Sequence, residues 1–273
     1  MRRQRASRPP ASAAIGVFDS GIGGLTVVRA LARLLPHEDI VYLGDTARTP
    51  YGTKSPETIC RYAQENAAFL LDKGIKCLVV ACNSVSAVAL PELEQQLPVP
   101  VIGVIEPGAQ AAVRATRNGK VGVIGTEATI ASNAYTRALK ALRPDLEIYT
   151  RACPLFVPLA EEGWTENDVA RAAARRYLAS LRRSGIDTLV LGCTHYPLLA
   201  GVIAEVLGPT VTLVDSAGTT AQAVRGMLRQ QKLARKDNGG TLSFFVTDAP
   251  ERFIKVGSLF LGQPVESAVR LER

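Results

Sequence analysis

Histidine and cysteine are scarce in this sequence, which limits the kinds of site that it can build. Of 273 residues only two are histidines, and five are cysteines, an odd number that does not fit a complete set of disulfide bonds. No Cys-x-x-Cys pair occurs, so we expect neither a zinc site nor another metal site. Cysteines without a disulfide pattern indicate a reducing compartment, and we expect the cytoplasm.

Long apolar runs and aromatic side chains are also few. No apolar run approaches the roughly 18 residues that a membrane helix needs, so we expect no membrane span. The net charge is +7, but Arg2, Arg3, Arg5 and Arg8 supply four of these charges. Because aromatics make up 5% of the chain and are not interleaved with arginines, we expect no nucleic-acid binding.

The four N-terminal arginines lie in a segment, residues 1–14, that has no acidic residue. The segment lacks the apolar region of a secretory signal, so it is not expected to direct secretion. It is interpreted as a disordered basic tail, with a short organelle transit sequence as the alternative.

The remainder of the chain has the pattern of an α/β protein. Its length corresponds to about two domains at roughly 150 residues each. Short β-branched runs recur, each followed by small polar residues and a helical pattern, which predicts a mainly parallel sheet with functional residues at the carboxyl ends of strands. The runs are IGVF, DIVYLG, CLVVAC, PVIGVI, KVGVIG, TLVLGC and VTLVD. Helices are predicted at about residues 56–73, capped by Ser55, and at 165–183.

The chain also resembles itself. KGIKCLVVACNSV, from Lys73, aligns with SGIDTLVLGCTHY, from Ser184, at an offset of 111, and IGVFDS aligns with VGVIGT at an offset of 106. A looser match of VIE with LVD follows in the same order. Any two α/β strands share some residues, but matches in one order favour two related halves. Cys82 and Cys193 then lie at equivalent strand ends on opposite sides of a cleft.

Two matched thiols restrict the chemistry. Each is followed by small polar residues that can cap a helix, and a helix N-terminus lowers a thiol pKa. A cysteine hydrolase needs one nucleophile and would leave the second thiol without a role. Moving a proton from one face of a carbon atom to the other needs two groups, as in a two-base racemase or epimerase. Cys60, Cys77 and Cys153 are interpreted as packing residues.

Polar residues near these strands complete a candidate site. Asp19 precedes SGIGG, whose glycines let backbone N–H groups approach a substrate carboxylate. A phosphate loop is disfavoured because no lysine follows and G-x-G-x-x-G is incomplete. His195, two residues past Cys193, can hold or transfer a proton near neutral pH. Asp45 is interpreted as a loop bridge in preference to a catalytic group.

Five segments of the chain together resemble the glutamate racemases of the aspartate/glutamate racemase superfamily. The resemblance extends from about residue 15 to about residue 262, so only the basic tail lies outside it. The segments are VFDSGIGGLTV (17–27), YLGDTARTPYG (42–52), ACNSVSA (81–87), CPLFVPLAEEG (153–163) and LGCTHYPLL (191–199).

The resemblance implies an enzyme without a cofactor that interconverts L- and D-glutamate and supplies D-glutamate for peptidoglycan. It implies that Cys82 and Cys193 are the catalytic pair, assisted by Asp19 and His195, and that Glu161 has a secondary role. The family usually has Asn-Thr where this chain has Asn-Ser, which retains the hydroxyl. The residues that the resemblance assigns to substrate binding are Asp19, Ser20, Tyr51, Gly52, Asn83, Ser84, Thr194 and His195.

The expected architecture is two pseudo-symmetric, mainly parallel-sheet α/β domains with the active site in the cleft between them. By resemblance, residues 15–100 and 215–273 form the first domain and residues 101–214 the second, and the protein is a homodimer. Two alternatives stay open: an aspartate or related amino-acid racemase of the same superfamily, and an inactive amino-acid-binding module on this fold.

Overall fold

The protein is described by a computed structural model that covers residues 9–237 and 239–272. Residues 1–8, the larger part of the predicted basic tail, lie outside this description. The described strands form two sheets in which every pairing is parallel, which confirms the predicted fold class. The strands are β1 (Ile15–Asp19), β2 (Ile40–Gly44), β3 (Cys77–Val80), β4 (Val101–Gly103), β5 (Lys120–Gly125), β6 (Glu147–Ala152), β7 (Thr188–Gly192), β8 (Thr212–Asp215), β9 (Leu242–Val246) and β10 (Val269–Arg270).

The two sheets repeat one strand order. The larger sheet has the order β10-β9-β2-β1-β3-β4 and the smaller the order β6-β5-β7-β8, so β5 to β8 reproduce β1 to β4. The register repeats as well, because Ile15 pairs with Cys77 and Val121 pairs with Thr188. Val121 lies 106 residues after Ile15, and Thr188 lies 111 residues after Cys77, which are the offsets of the internal sequence matches. The structure therefore confirms two related halves.

Helices cover both faces of each sheet, as expected for a doubly wound α/β fold. The helices are α1 (Leu25–Leu34), α2 (Pro56–Asp72), α3 (Asn83–Val88), α4 (Leu90–Gln96), α5 (Ile105–Ala115), α6 (Glu127–Ala131), α7 (Ala134–Leu142), α8 (Phe156–Glu161), α9 (Asp168–Arg183), α10 (Ala200–Leu207), α11 (Ser216–Gln230) and α12 (Pro250–Leu261). Short 3-10 turns occupy Tyr51–Thr53 and Tyr196–Leu199.

Alternate strand residues supply separate hydrophobic cores. In β1, Phe18 packs into the cluster that includes the apolar face of α2, whereas Val17 packs into the cluster that includes α1. In the smaller sheet, Val123 belongs to the cluster with α5 and α7, and Ile124 to the cluster with α9 and α10. Because both faces of the central strands β1, β3, β5 and β7 are buried, these strands are continuous apolar runs, and polar groups appear at their ends.

Local capping explains how well the two predicted helices match the structure. Helix α2 begins at Pro56 because the Ser55 hydroxyl accepts a hydrogen bond from the Thr58 N–H, as predicted. The helix predicted from residue 165 begins three residues later, at Asp168, because the Asn167 side chain accepts from the Ala170 N–H at 2.9 Å. Asparagine is as good an N-cap as serine, and here it fixes the start.

Some elements were not predicted from the sequence. Strand β6 lies at an edge of the smaller sheet and is largely exposed, and β9 and β10 extend the larger sheet. Strand β4, in contrast, lies within the predicted run PVIGVI and pairs with β3 in the larger sheet. The division into domains of residues 15–100 with 215–273 and of residues 101–214 stays a prediction. None of the helices in the described part of the chain combines the length and apolar character needed to span a bilayer.

The equivalence of the two halves reaches individual glycines. A Cβ atom added at Gly16 would lie 2.6 Å from Cδ1 of Ile75, and one added at Gly122 would lie 2.6 Å from Cδ1 of Ile186. We expect Gly16→Ala and Gly122→Ala each to lower the free energy of unfolding by about 1–3 kcal/mol, because overpacking forces the isoleucine to move. Urea unfolding followed by circular dichroism measures this change.

Gly226→Ala is the matched control for these two variants. Gly226 lies within α11, and an added Cβ atom would meet no other atom within 4 Å. Alanine is favoured over glycine in a helix by about 0.5–1 kcal/mol, so this variant should be as stable as the parent or more stable. Equal destabilisation by all three substitutions would contradict the packing explanation.

Candidate active site

The two cysteines of interest lie at the carboxyl ends of equivalent strands. Cys82 follows β3 and is the N-terminal cap of α3, and Cys193 directly follows β7. Their exposed fractions are 5% and 6%, and Asp19, the last residue of β1, is fully buried. The Thr194 hydroxyl, next to Cys193, lies 3.5 Å from Oδ1 of Asp19, which joins the two halves at this point. The predicted site residues from both halves therefore meet.

Cys82 has an environment that holds its proton. Burial raises the pKa of the Cys82 thiol to about 12, and the nearby charges of Asp19 and Cys193 add to this effect. The thiol lies 3.5 Å from the Ser20 hydroxyl. The sequence predicted a lowered pKa from the helix N-terminus, and that prediction is wrong for this thiol because burial and negative neighbours outweigh the helix dipole.

Asp19 is fixed by contacts to both of its oxygen atoms. The Gly21 N–H donates to Oδ2 at 3.0 Å, and the Thr194 hydroxyl approaches Oδ1. Burial raises the pKa of the Asp19 carboxyl above its usual value, although the charge of His195 and the hydrogen bonds act in the opposite direction. Asp19 is therefore a buried carboxyl group that takes up a proton more readily than an exposed one.

Cys193 has a different set of neighbours. Its sulfur lies 3.8 Å from Nδ1 of His195, and Nε2 of the same ring lies 3.1 Å from Oε1 of Glu161. Phe260 packs edge-to-face on the imidazole at a ring-centre distance of 5.1 Å. The sequence suggested that Thr194 could cap an α-helix. This is wrong, because a 3-10 turn at Tyr196–Leu199 follows instead.

His195 is held in a form that retains its proton. Burial acts to lower the pKa of the imidazole, but the hydrogen bonds to Cys193 and Glu161 outweigh burial and raise it to about 10. Burial acts to raise the pKa of Glu161, and the contacts with His195 and Arg252 more than reverse that effect. The result is a negatively charged carboxylate beside an imidazole with high proton affinity.

The predicted pair Asn83 and Ser84 lies between the two halves. The Tyr135 hydroxyl donates to Oδ1 of Asn83 at 2.8 Å, and the hydroxyl groups of Ser84 and Thr126 are 2.9 Å apart. The Asn83 Nδ2 group is buried and has no hydrogen-bond partner within the described residues. A buried amide donor without a partner is costly, so this group is suited to an anionic ligand such as a carboxylate.

Tyr51 and Gly52 are placed in different ways. The Tyr51 hydroxyl is engaged within the protein, because it donates to Asp45 and accepts from Nδ2 of Asn66. Gly52 lies against Thr126, since an added Cβ atom would be 2.7 Å from Cβ of Thr126. The structure thus leaves the backbone of these residues, and not the Tyr51 side chain, as their means of contacting a substrate.

Asp45 connects several loops. It is fully buried and accepts hydrogen bonds from Nε of Arg48 at 2.7 Å, from the Tyr51 hydroxyl and from the Thr247 hydroxyl at 2.8 Å. All of its contacts are internal, so the loop-bridge interpretation is confirmed. Within the described residues, no group of three or more His, Cys, Asp or Glu side chains is arranged to hold a metal ion.

Two residues of the site were missed in the sequence. Thr126 is the equivalent of Ser20 at the offset of 106, so the internal repeat contained the signal that would have identified it. Arg252 contacts Oε2 of Glu161 at 3.0 Å. Since 91 residues separate these two positions, no local pattern could have predicted their contact.

The environment of His195 gives a testable titration. We expect its imidazole to remain protonated above pH 8, because its hydrogen bonds raise its pKa to about 10. Nitrogen-15 NMR of labelled protein measures this, and His37→Gln identifies the signals in a chain with two histidines. Glu161→Gln should lower the pKa of His195. Titration of His195 in wild-type protein at or below pH 6.5 would contradict the assignment.

The same shift predicts the pH dependence of stability. The pKa of His195 is higher in the folded protein than its ordinary value of 6.5. The protonated imidazole therefore stabilises the fold fully below pH 6.5, and this contribution is lost as the pH rises toward 10. A His195→Gln variant should lack this decline when the free energies of unfolding of both proteins are compared across that range.

Known proteins are similar to this chain over most of its length. The model of the Asp/Glu/Hydantoin racemase family matches residues 15–224. A glutamate racemase of Geobacter metallireducens is 60% identical over 250 residues, which cover 91% of this chain and 93% of that protein. A second glutamate racemase, from Syntrophus aciditrophicus, is 51% identical over 259 residues, or 94% and 96% of the two chains.

Solved structures give the same result. A Bacillus anthracis glutamate racemase has a TM-score of 0.92 and 40% identity, covering 95% of this chain and 97% of that one. A Francisella tularensis glutamate racemase in complex with D-glutamate has a TM-score of 0.91 and 39% identity, with 96% and 98% covered. The chain therefore belongs to the Asp/Glu/hydantoin racemase family and, within it, to the glutamate racemases.

Proposed function

We propose that this protein interconverts L-glutamate and D-glutamate by proton transfer at Cα between two thiols, Cys82 and Cys193. The observation that carries the proposal is the burial of two thiols at equivalent strand ends of two related halves, each with its own acid–base partners. A planar carbanion-like intermediate needs a proton donor on one side and an acceptor on the other. A pair of facing thiols provides both.

The partners of the two thiols differ, which sets the starting protonation state. The His195 imidazole, whose pKa is raised to about 10, lies 3.8 Å from the sulfur of Cys193 and is assigned as its acid–base partner, so Cys193 is the proposed starting base. The raised pKa of Cys82 keeps this group a thiol. The resting enzyme then holds one base and one acid, and each turnover exchanges their roles.

Asp19 gives the reverse direction an equivalent partner. Its charge acts on Cys82, and its own pKa is raised by burial, so it can take up the proton when Cys82 becomes the base. Asp19 and His195 thus assist opposite thiols. Closure of the site around the reacting carbon excludes water, which strengthens these electrostatic interactions.

Substrate binding follows from the polar groups between the thiols. The unpartnered Nδ2 group of Asn83 is suited to donate to a substrate carboxylate. Hydroxyl groups of Ser20, Ser84 and Thr194 supply further donors, while Tyr51 and Gly52 contribute backbone groups. The resemblance to the family assigns Asp19 and His195 to substrate binding as well, and the proposal retains that assignment. The side chain of Tyr51 has no direct role in this proposal.

Relatives support glutamate as the substrate. The relatives described above are glutamate racemases, and one of them is a complex with D-glutamate. An aspartate racemase homologue from Pyrococcus horikoshii shares only the fold, with a TM-score of 0.56 and 16% identity. The wider proposal is that the enzyme is a cytoplasmic homodimer, needs no cofactor and supplies D-glutamate for peptidoglycan synthesis.

Removal of either thiol should stop racemization. We expect Cys82→Ala and Cys193→Ala each to lower kcat by about 10²–10⁴-fold, the usual contribution of a general acid or base. Polarimetry with each enantiomer of glutamate measures the loss. Each variant keeps one base, so it should still exchange the α-proton of one enantiomer with D2O while leaving its configuration unchanged.

Cys60→Ala is the control for this experiment. Cys60 is a partly exposed thiol on α2 and is not among the residues of the site. This variant should racemize glutamate at the parent rate. Retention of most of the turnover by Cys82→Ala or Cys193→Ala would show that the two-thiol mechanism is wrong.

Substrate length gives a further prediction. Aspartate is one methylene shorter than glutamate, so it cannot place both carboxylates on the same donors while its Cα lies between the thiols. A missing methylene in a fitted site costs about 10–200-fold in kcat/KM, and we expect L-aspartate to be poorer by at least that factor. Comparable turnover of the two amino acids would favour a racemase of broader specificity.

A further inference from the structure

A surface arginine connects the second thiol to the other half of the molecule. Arg252 lies on α12, which follows β9 of the larger sheet, and its Nη2 is 3.0 Å from Oε2 of Glu161. We propose that Arg252 is a positioning residue that holds Glu161, and through it His195, in the orientation that serves Cys193. This inference rests on the proposed racemization and assigns a further residue to it.

The Glu161 carboxylate is held at both ends. Oε2 contacts Arg252, while Oε1 contacts Nε2 of His195 at 3.1 Å. The opposite ring nitrogen, Nδ1, lies 3.8 Å from the sulfur of Cys193. Four side chains therefore form one continuous series from solvent to the reacting sulfur. Only the outermost, Arg252, is more than half exposed, at 55%.

Glu161 needs this outer contact because of where it lies. It is the last residue of α8, a helix of six residues, and its side chain can adopt several rotamers if only one oxygen is held. Rotation of the carboxylate would release Nε2 of His195. The imidazole would then lose the hydrogen bond that fixes its orientation, in the way that outer contacts fix histidines in other sites.

Among the described residues, no equivalent series of contacts leads to the first thiol. Cys82 lies beside Ser20 and close to the charge of Asp19, and both of these residues belong to the first half of the chain. Cys193, by contrast, depends on α12 for two contacts, because Phe260 packs on the His195 ring and Arg252 holds Glu161. Loss of the arginine should therefore affect proton transfer at one thiol more than at the other.

A different role for Arg252 would be the attraction of a dicarboxylate substrate. Lys255 is suited to test that role, since it lies on α12, is exposed and lines the same surface groove beside Glu161. It has no ion pair among the residues for which contacts are described. If charge at the groove attracted the substrate, Lys255→Gln and Arg252→Gln would both raise the KM for glutamate. Added salt would then reduce the difference in KM between each variant and the parent.

The test compares Arg252→Gln, Arg252→Lys and Lys255→Gln with the parent in both reaction directions. We expect Arg252→Gln to lower kcat about five- to tenfold, less than the roughly 10²-fold that a 1 Å displacement of a reacting group can cost. KM should change less than about twofold, because the proposed role of the arginine is exerted through Glu161 and not on the substrate. Arg252→Lys should recover most of the activity, and Lys255→Gln should match the parent. An exposed ion pair contributes little to stability, so the unfolding temperature should hardly move.

Isotope effects distinguish positioning from a general loss. With glutamate deuterated at Cα, the primary isotope effect on kcat/KM should rise in Arg252→Gln for the enantiomer whose proton Cys193 removes, and not for the other. An equal change in this isotope effect for both enantiomers would overturn the proposal. An equal loss of kcat in Arg252→Gln and Lys255→Gln would do so as well. So would parent-like kinetics in Arg252→Gln.

A spectroscopic readout separates this inference from the proposed function. The Nε2–H proton of His195 should exchange with water faster in Arg252→Gln than in the parent, and at the parent rate in Lys255→Gln. If the parent itself does not racemize glutamate, the proposed function fails whatever the NMR shows. If the parent is active and Arg252→Gln changes neither turnover nor exchange, only the positioning role fails.

Discussion

Two-base racemization requires an acid on one side of a carbon atom and a base on the other. The structure meets this constraint by repetition. Strands β1 to β4 and β5 to β8 have the same order and register, so their carboxyl ends bring matching residues to one place. Cys82 and Cys193 are such a matched pair, and the helices and cores of both halves hold the strands that present them.

Repetition gives the framework, but the two sides are not chemically equivalent. Burial and nearby negative charge keep the proton on Cys82, whereas the high pKa of His195 provides a place for the proton of Cys193. The two carboxyl groups also differ. Asp19 is buried and its pKa is raised, whereas the pKa of Glu161 is lowered by its contacts with His195 and Arg252. A proposed two-base enzyme benefits from this difference, since it must start each turnover with one acid and one base.

Much of this arrangement could be predicted because it depends on short sequence motifs and on the internal repeat. Ser55 before a proline predicts the start of α2, and the repeat places both thiols at strand ends. Long-range contacts could not be predicted in the same way. The pKa of Cys82 depends on burial and on the nearby charges of Asp19 and Cys193, and β6 is an exposed edge strand without an apolar pattern. The contact between Arg252 and Glu161 joins distant parts of the chain.

The most direct test of the account is the fate of hydrogen at Cα during the first turnovers of L-glutamate in D2O, measured by NMR and chiral separation. Two bases predict that the first D-glutamate formed carries deuterium at Cα, while the remaining L-glutamate keeps its original proton. Early D-glutamate that retains the original proton, or remaining L-glutamate that gains deuterium as fast as D-glutamate appears, would show that a single base acts and would contradict the account.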